Sequence, residues 1–388
     1  MRLTSLFLLL TASLVACSSD PVTPVDGGGT DASPDALPDA PPPSDGGLDA
    51  TDSGPNGPNI VFVTTSAFDA KTIASPSNAD KLCNDAAKAK GVTGTYAAWI
   101  AAQGTDATTR LGTARGWVRL DGKPVADTIA DLAAGKLLYP PNVDEGGKTV
   151  GASARVLTGA RGDGKDVETC ASWTDFTSAK SYSAGAAGAE GELWTNRYTE
   201  PCNLTGNLAP HLYCFGIDRT VAITKPVRSG RLVFLSKGTL DGNAGISAMD
   251  ALCNSEATSA GLGGSRTYKA LVATESATGA SRFANVTGPI SRPDGVVVAT
   301  TAAALFDASQ PLGAAVNVNA DGVTYDRSAN GPWTGSNDMT KTGGAACTGW
   351  AQTSPGAIAG SSGAIDGERF GGVVTTCAEK RPVYCLQE

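Results

Sequence analysis

One imidazole is available to this chain of 388 residues, and that limits its chemistry before anything else is read. His211 stands three residues ahead of Cys214. A Ser-His-Asp or Cys-His site needs a histidine beside its nucleophile, and a His-ligated zinc site is starved of ligands for the same reason. His211 therefore reads as a strand or loop residue. Paired carboxylates are the other route to acid–base work, and Asp144-Glu145 and Asp366…Glu368 are the best local pairs. A glycosidase would need two carboxyls about 5 to 9.5 Å apart across a cleft. Neither pair recurs in kind elsewhere in the chain, so both are expected to be solvated loop charges. Gly162-Asp163-Gly164 and Gly261-Leu262-Gly263-Gly264 lack the frame of a phosphate-binding loop or a dinucleotide fingerprint, and no G-x-S-x-G elbow occurs. No catalytic or cofactor-binding residue is assigned. Oxygen donors alternate in Asn317-x-Asn319-x-Asp321-Gly322 as in a calcium loop, but Ser328 occupies the place of the bidentate Glu. Asn142-x-Asp144-Glu145-Gly146 keeps part of that pattern. Both are expected to be tight polar turns, and no metal ligand is assigned.

The first 17 residues set the compartment. Met1-Arg2 is a short positive start, Leu6 to Leu10 is apolar, and Leu14-Val15-Ala16-Cys17 matches the bacterial lipoprotein cleavage box. The apolar run is too short to span a bilayer, so residues 1–17 read as a cleaved signal. The match implies a diacylglyceryl group on Cys17, and Ser18 in the next position implies outer-membrane sorting in a Gram-negative envelope. Residues 18–58 hold Asp, Pro, Gly, Ser and Thr with almost no large apolar side chain. Such a segment buries too little surface to offset its ordering entropy and is expected to be a disordered tether. It contains eight Asp and no Lys or Arg, which equals the whole formal charge of −8. Setting aside those eight and Arg2 leaves 30 acidic against 29 basic residues. A nearly neutral body offers no basic stripe, so nucleic acid is not an expected partner.

Eight cysteines remain, four in each of two stretches written to the same plan. Ser77, Asp80, Cys83 and Gly91 recur as Ser247, Asp250, Cys253 and Gly261, each 170 positions on. Tyr96 and Ala98 return as Tyr268 and Ala270, Asp121-Gly122 as Asp294-Gly295, Cys170…Trp173 as Cys347…Trp350, and Tyr213-Cys214 as Tyr384-Cys385. An even cysteine count in an exported chain reads as disulfides, and spacing alone leaves three pairings open in each repeat. The expected order is a repeat at 59–218, a linker at 219–229 and a repeat at 230–388. Each repeat opens with an apolar strand, Ile60–Val63 or Leu232–Leu235. A helix follows, with Ser77 and Asp80 or Ser247 and Asp250 as a capping box, ending at Gly91 or Gly261. Strands are expected at 96–100 and 268–272, a second short helix at 127–134 and 300–306, then long loops and a closing strand through Cys214 or Cys385. This is an α+β pattern.

The ordered set resembles the endostatin-like branch of the C-type lectin fold found in bacterial lipoproteins. It rests on the opening strand, Asp80-x-x-Cys83 and Asp250-x-x-Cys253, the Cys-x-x-Trp pairs, Trp333-Thr334-Gly335 and the closing Tyr-Cys ends. The resemblance implies nested bridges, Cys83–Cys214 around Cys170–Cys202 and Cys253–Cys385 around Cys347–Cys377. It departs from the sugar-binding lectins. Glu200-Pro201 runs into Cys202, and Trp194-Thr195-Asn196 and Trp333-Thr334-Gly335 lack the calcium-binding carboxylate, so calcium-dependent sugar binding is not implied. Trp173 and Trp350 are expected to pack on the bridges. Trp117 and Trp194, with Ile290 and Phe370 near the equivalent places, are the candidates for an exposed aromatic patch. The expected function is a lipid-anchored, non-enzymatic binding or adhesion module whose partner is an extracellular protein or glycan. The alternatives are an envelope carbohydrate-active hydrolase or a structural lipoprotein without a ligand. The sequence leaves the oligomeric state open.

Overall fold

Four consecutive apolar residues give a strand no polar face, so both of its faces must be covered. In the computed structural model, which describes residues 56–324 and 331–388, this is how each repeat begins. Cys17, all but the last residues of segment 18–58, and Ser328 lie outside the described residues. The first repeat contains β1 (Asn59–Val63), β2 (Tyr96–Ala98), β3 (Trp117–Val118), β4 (Pro124–Ala126), β5 (Arg155–Leu157), β6 (Ser181–Ala186), β7 (Tyr198–Pro201) and β8 (Tyr213–Gly216). Its main sheet has the order β2-β8-β1-β3-β4. Ile60 and Phe62 face one core with Tyr96, Leu157 and Trp173, while Val61 and Val63 face a second core with Trp99, Trp117, Trp194 and Phe215.

The second repeat reproduces this arrangement. Its strands are β9 (Arg231–Leu235), β10 (Leu240–Asp241), β11 (Tyr268–Ala270), β12 (Ile290–Ser291), β13 (Val297–Ala299), β14 (Ala357–Ala359), β15 (Val373–Thr375), β16 (Lys380–Arg381) and β17 (Tyr384–Gln387). The main sheet has the order β11-β17-β9-β12-β13. Each main sheet has a single parallel pairing, Asn59 opposite Trp117 in one and Arg231 opposite Ile290 in the other. Leu232 and Phe234 face one core, Val233 and Leu235 the other. With the helices α1 (Ala70–Ile73), α2 (Pro76–Ala89), α3 (Ile129–Ala133), α4 (Cys170–Trp173), α5 (Ile246–Ser259), α6 (Ala302–Phe306) and α7 (Cys347–Trp350), of which α2 and α5 are long and the rest a turn or so, the fold is α+β.

The capping assignment of the long helices is corrected. Ser75 caps α2 by accepting the Asn78 N–H at 3.2 Å, with Pro76 in the first helical position, and Ser77 lies inside the helix. Gly245 precedes α5 with no side-chain cap. The recurring Asp has a different task. Asp80 accepts the Ala98 N–H at 2.8 Å and pairs with Arg110; Asp250 accepts the Ala270 N–H at 2.8 Å and pairs with Arg282. β2 and β11 are edge strands, whose outward N–H groups lack a ladder partner, and the helix supplies one. Asn84 and Asn254 repeat the device, accepting the N–H of Tyr96 and Tyr268 and donating to their carbonyls.

The disulfides are Cys83–Cys214, Cys170–Cys202, Cys253–Cys385 and Cys347–Cys377, the nested pairing that the resemblance implied. The outer bridges tie α2 to β8 and α5 to β17. The inner bridges hold α4 and α7, which are left-handed turns: Cys170 to Trp173 have φ of 50, 52, 58 and 62°. Left-handed backbone costs about 1–2 kcal/mol per non-glycine residue. What holds it is a bridge at one end and, at the other, a buried indole donating to a carbonyl, Trp173 to Ala101 at 2.8 Å and Trp350 to Ala273 at 2.9 Å. Replacing Cys253 and Cys385 together by Ser is expected to lower unfolding free energy by about 2–5 kcal/mol. Urea denaturation beside the unaltered protein reads this, and an unchanged midpoint would show the bridge to be dispensable.

Candidate ligand cleft between the repeats

The residues singled out by their chemistry are committed to the fold. His211 is half-buried, its Nδ1 2.7 Å from the Thr64 carbonyl. Asp144 and Glu145 are not solvated loop charges, being only 7% and 6% exposed. Asp144 accepts the N–H groups of Gly146 and Lys148 and the Thr65 hydroxyl, and Glu145 accepts the Thr65 N–H at 2.7 Å. The turn after residue 142 folds back on the end of β1, and the carboxylates serve donors that it would otherwise bury unpaired. Asp366 accepts the Glu368 N–H at 3.1 Å, and Glu368, which is exposed, pairs with Arg197. In the second polar loop Asn319 accepts from Asp321 and Val323 N–H, Asp321 pairs with Lys237, and Asn317 accepts from Arg292.

The candidate aromatic patch is not at the surface. Trp117 and Trp194 are fully buried, packed edge-on to Phe215, with Trp99 tilted against Phe215 and Trp194. The partner of Trp194 in the second repeat is also corrected. Thr158 donates to the carbonyls of Ser183 and Thr195, and Thr334 to those of Ile358 and Phe370. Phe370 is therefore the counterpart of Thr195, and Arg369 that of Trp194. Burial pulls the Arg369 guanidinium down to about 10, and it donates to the carbonyls of Leu305, Ile365, Asp366 and Asp307.

What the sequence did not show is how the repeats meet. Both belong to one compact unit. Ala189 forms a bridge with Ala364, and the Glu190 N–H donates to the Gly363 carbonyl at 2.9 Å. By the threonine alignment Ala189 and Ala364 are equivalent positions, so the contact is self-complementary, as across a two-fold axis. Glu190 and Arg292, both 0% exposed, form an ion pair of 2.7 Å across it. Arg292 also donates to Asp294, Asn317 and the carbonyls of Leu137, Leu138 and Ala315. Glu190 has Ile365 as its counterpart, so the ion pair occurs on one side only. The linker crosses close to Gly116 and Gly295, both at positive φ, where a Cβ would come within 1.8 Å of the Val221 carbonyl oxygen and 2.3 Å of that of Pro226.

Beside this contact lies a cleft of about 270 Å³ walled by the first repeat, the linker and the second repeat. Leu137, Leu138, Ile223 and Val323 give it apolar surface, and Lys136 and Lys225 stand exposed at it. Its carboxylates are engaged: Asp127 by Arg115 and the Ile223 N–H, Asp131 by the capping box of α3, and Asp294 by Arg292. Among the described residues no carboxylate lies within ion-pair distance of Lys136 or Lys225. The cleft thus joins apolar walls to two lysines that have no direct ion-pair partner among the described residues, set beside Asp131, which is held by uncharged donors alone, and an anionic group of a ligand could pair with them. A second hollow of about 310 Å³, lined by residues 133–135, 161–163 and Glu192, has alanine as its only apolar side chain. Sequence could not single out Lys136 and Lys225, since they lie in different segments that only the packing of the repeats brings together. No family model matches the chain, and no curated protein matches it.

Replacing Asp144 by Ala strands three donors and is expected to cost about 1–3 kcal/mol of stability. Because the oxygens of both polar loops already serve protein donors, millimolar calcium is expected to leave the thermal midpoint unchanged. A rise with calcium, reversed by chelation, would contradict this account of the loops.

Proposed function

We propose that this protein is an exported, lipid-anchored, non-enzymatic binding module of the cell envelope, carrying two endostatin-like repeats of the C-type lectin fold on an acidic tether. It engages an acidic glycan, or an acidic segment of an extracellular protein, in the cleft between the repeats. The observation that carries the reading is the pairing of apolar walls with Lys136 and Lys225, neither of which has an ion-pair partner among the described residues. The lipobox and tether support display on the envelope, and four disulfides suit an oxidising compartment. Engagement of Asp144, Glu145, Asp366 and Glu368 by protein donors favours binding over hydrolysis. The matching sheet orders and nested bridges support the lectin-like assignment.

The anchor is tested by Cys17→Ser, which is expected to move the protein from the membrane fraction to the soluble fraction of cells. Retention in the membrane would refute lipidation at that residue. Ligand binding is tested by applying the oxidised protein to arrays of neutral and acidic glycans and peptides. Acidic members are expected to bind, more weakly as salt rises. The double change Lys136→Ala, Lys225→Ala should weaken binding at least about tenfold, since a charge-assisted hydrogen bond contributes about 1.5–3 kcal/mol. Binding that ignores both lysines would remove the cleft as the site.

A further inference from the structure

We propose that Glu190, Arg292 and Asp294 form a pH-responsive latch between the repeats, closed in acid and loosened as the pH rises to neutrality. Its significance for ligand rests on the cleft being the binding site; the latch itself rests on the geometry of the contact. Arg292 donates to the carbonyls of Leu137 and Leu138, and those residues, with Asp294, also line the cleft. The group that holds the repeats together therefore also holds one wall of the cleft in place.

The sign follows from the charges. Arg292 is bound by Asp294 through Nε at 3.1 Å and through a terminal nitrogen at 2.8 Å, on the same loop. Glu190 enters from the other repeat as a second carboxylate on one guanidinium, so the buried cluster is net negative when Glu190 is ionised. Among the charged groups around it, Arg119 and Lys123 share Asp121, and Lys136 and Glu192 stand exposed on the adjoining segments. Tyr139 donates no charge and its hydroxyl accepts the Val297 N–H, with Arg119 and Lys123 beside its ring at 5.8 and 5.3 Å. Segments 312–317 and 361–365 contribute backbone and uncharged side chains. Burial pushes the Glu190 carboxyl up to about 7, opposed by Arg292 and by the Ala315 N–H. Once the repeats part, it returns towards its ordinary 4.5. The closed state thus holds its proton more tightly. The latch is fully favoured below about pH 4.5, weakens as the pH rises to about 7, and changes little beyond. One proton is involved, so the opening constant rises by at most about tenfold per pH unit.

Hydrogen exchange on the full chain, corrected for intrinsic base catalysis, tests this. The reporters are the amides of Ala315 and Glu190, which bond across the contact, with the amides of the β1–β8 ladder as internal controls. The expected result is an opening constant for the reporters that climbs between pH 5 and 7 and then levels, while the controls stay constant. Glu190→Gln should hold the reporters at their acid level at every pH. Asp294→Asn removes the surplus charge and should shift the climb to lower pH, which keeps the test available if Glu190→Gln does not fold. A wild-type opening constant independent of pH, or one that climbs equally in Glu190→Gln, overturns the latch. Array binding at pH 5 and 7 is read separately. Absent binding at both would sink the cleft as a ligand site and leave the exchange result standing.

Discussion

Each repeat depends on a strand that must be covered on both faces. β1 and β9 alternate their side chains between two cores, and a chain of about 160 residues must wrap around them with only short elements. On one face this is done by the long helix, pinned by an aspartate to the edge strand and by a disulfide to the closing strand. On the other it is done by short helical turns and loops, which can lie close to a sheet only where side chains are small. Gly185 and Gly360 show the need: a Cβ on either would come within 1.8 or 1.9 Å of the carbonyl oxygen of Trp194 or Arg369, each at the end of a helical turn. The abundance of glycine and alanine is thus a condition of close wrapping rather than a sign of loose structure.

Much of this was legible in the sequence. The apolar runs at 60–63 and 232–235 announced two-sided burial, Gly91 and Gly261 marked the helix ends with φ of 71° in both copies, and the duplicated landmarks aligned the sheets. Ser77 and Asp80 were misread because a local rule for helix starts also fits residues that serve tertiary contacts, and the true cap, Ser75, has no counterpart at Gly245. The sequence leaves the exposure of Trp117 and Trp194 open, because an aromatic missing from one copy can face solvent or core. Both fill a second core, and at their places the other repeat has Ile290, in its own second core, and the buried Arg369. The cleft was illegible for a different reason. Its lysines, linker and apolar walls come from three segments, and only the meeting of the repeats, which no local pattern encodes, makes them neighbours.

The two copies differ where they touch. An interface that joins equivalent positions would carry two identical ion pairs if the copies were identical. Here Glu190 has no equal, because Ile365 stands in its place, and the contact has become a polar cluster on one side and apolar packing on the other. Tyr139 fits the same trend, packing against Val296 and against Ala314 at its own equivalent position. Such asymmetry fixes which repeat presents which face, so the pair has one arrangement rather than two.

The clamp at the start of β1 has a mechanical consequence. The Asn59 side chain donates to the Arg219 carbonyl at 2.7 Å and accepts the Arg219 N–H at 3.2 Å, joining the residue where the first repeat begins to the residue where the linker departs. Tension applied ahead of Asn59 has a path straight into the linker across that pair of bonds. The sheet, helix and nested bridges between them hang beside the line of force, as a loop tied off at its neck hangs beside a taut rope.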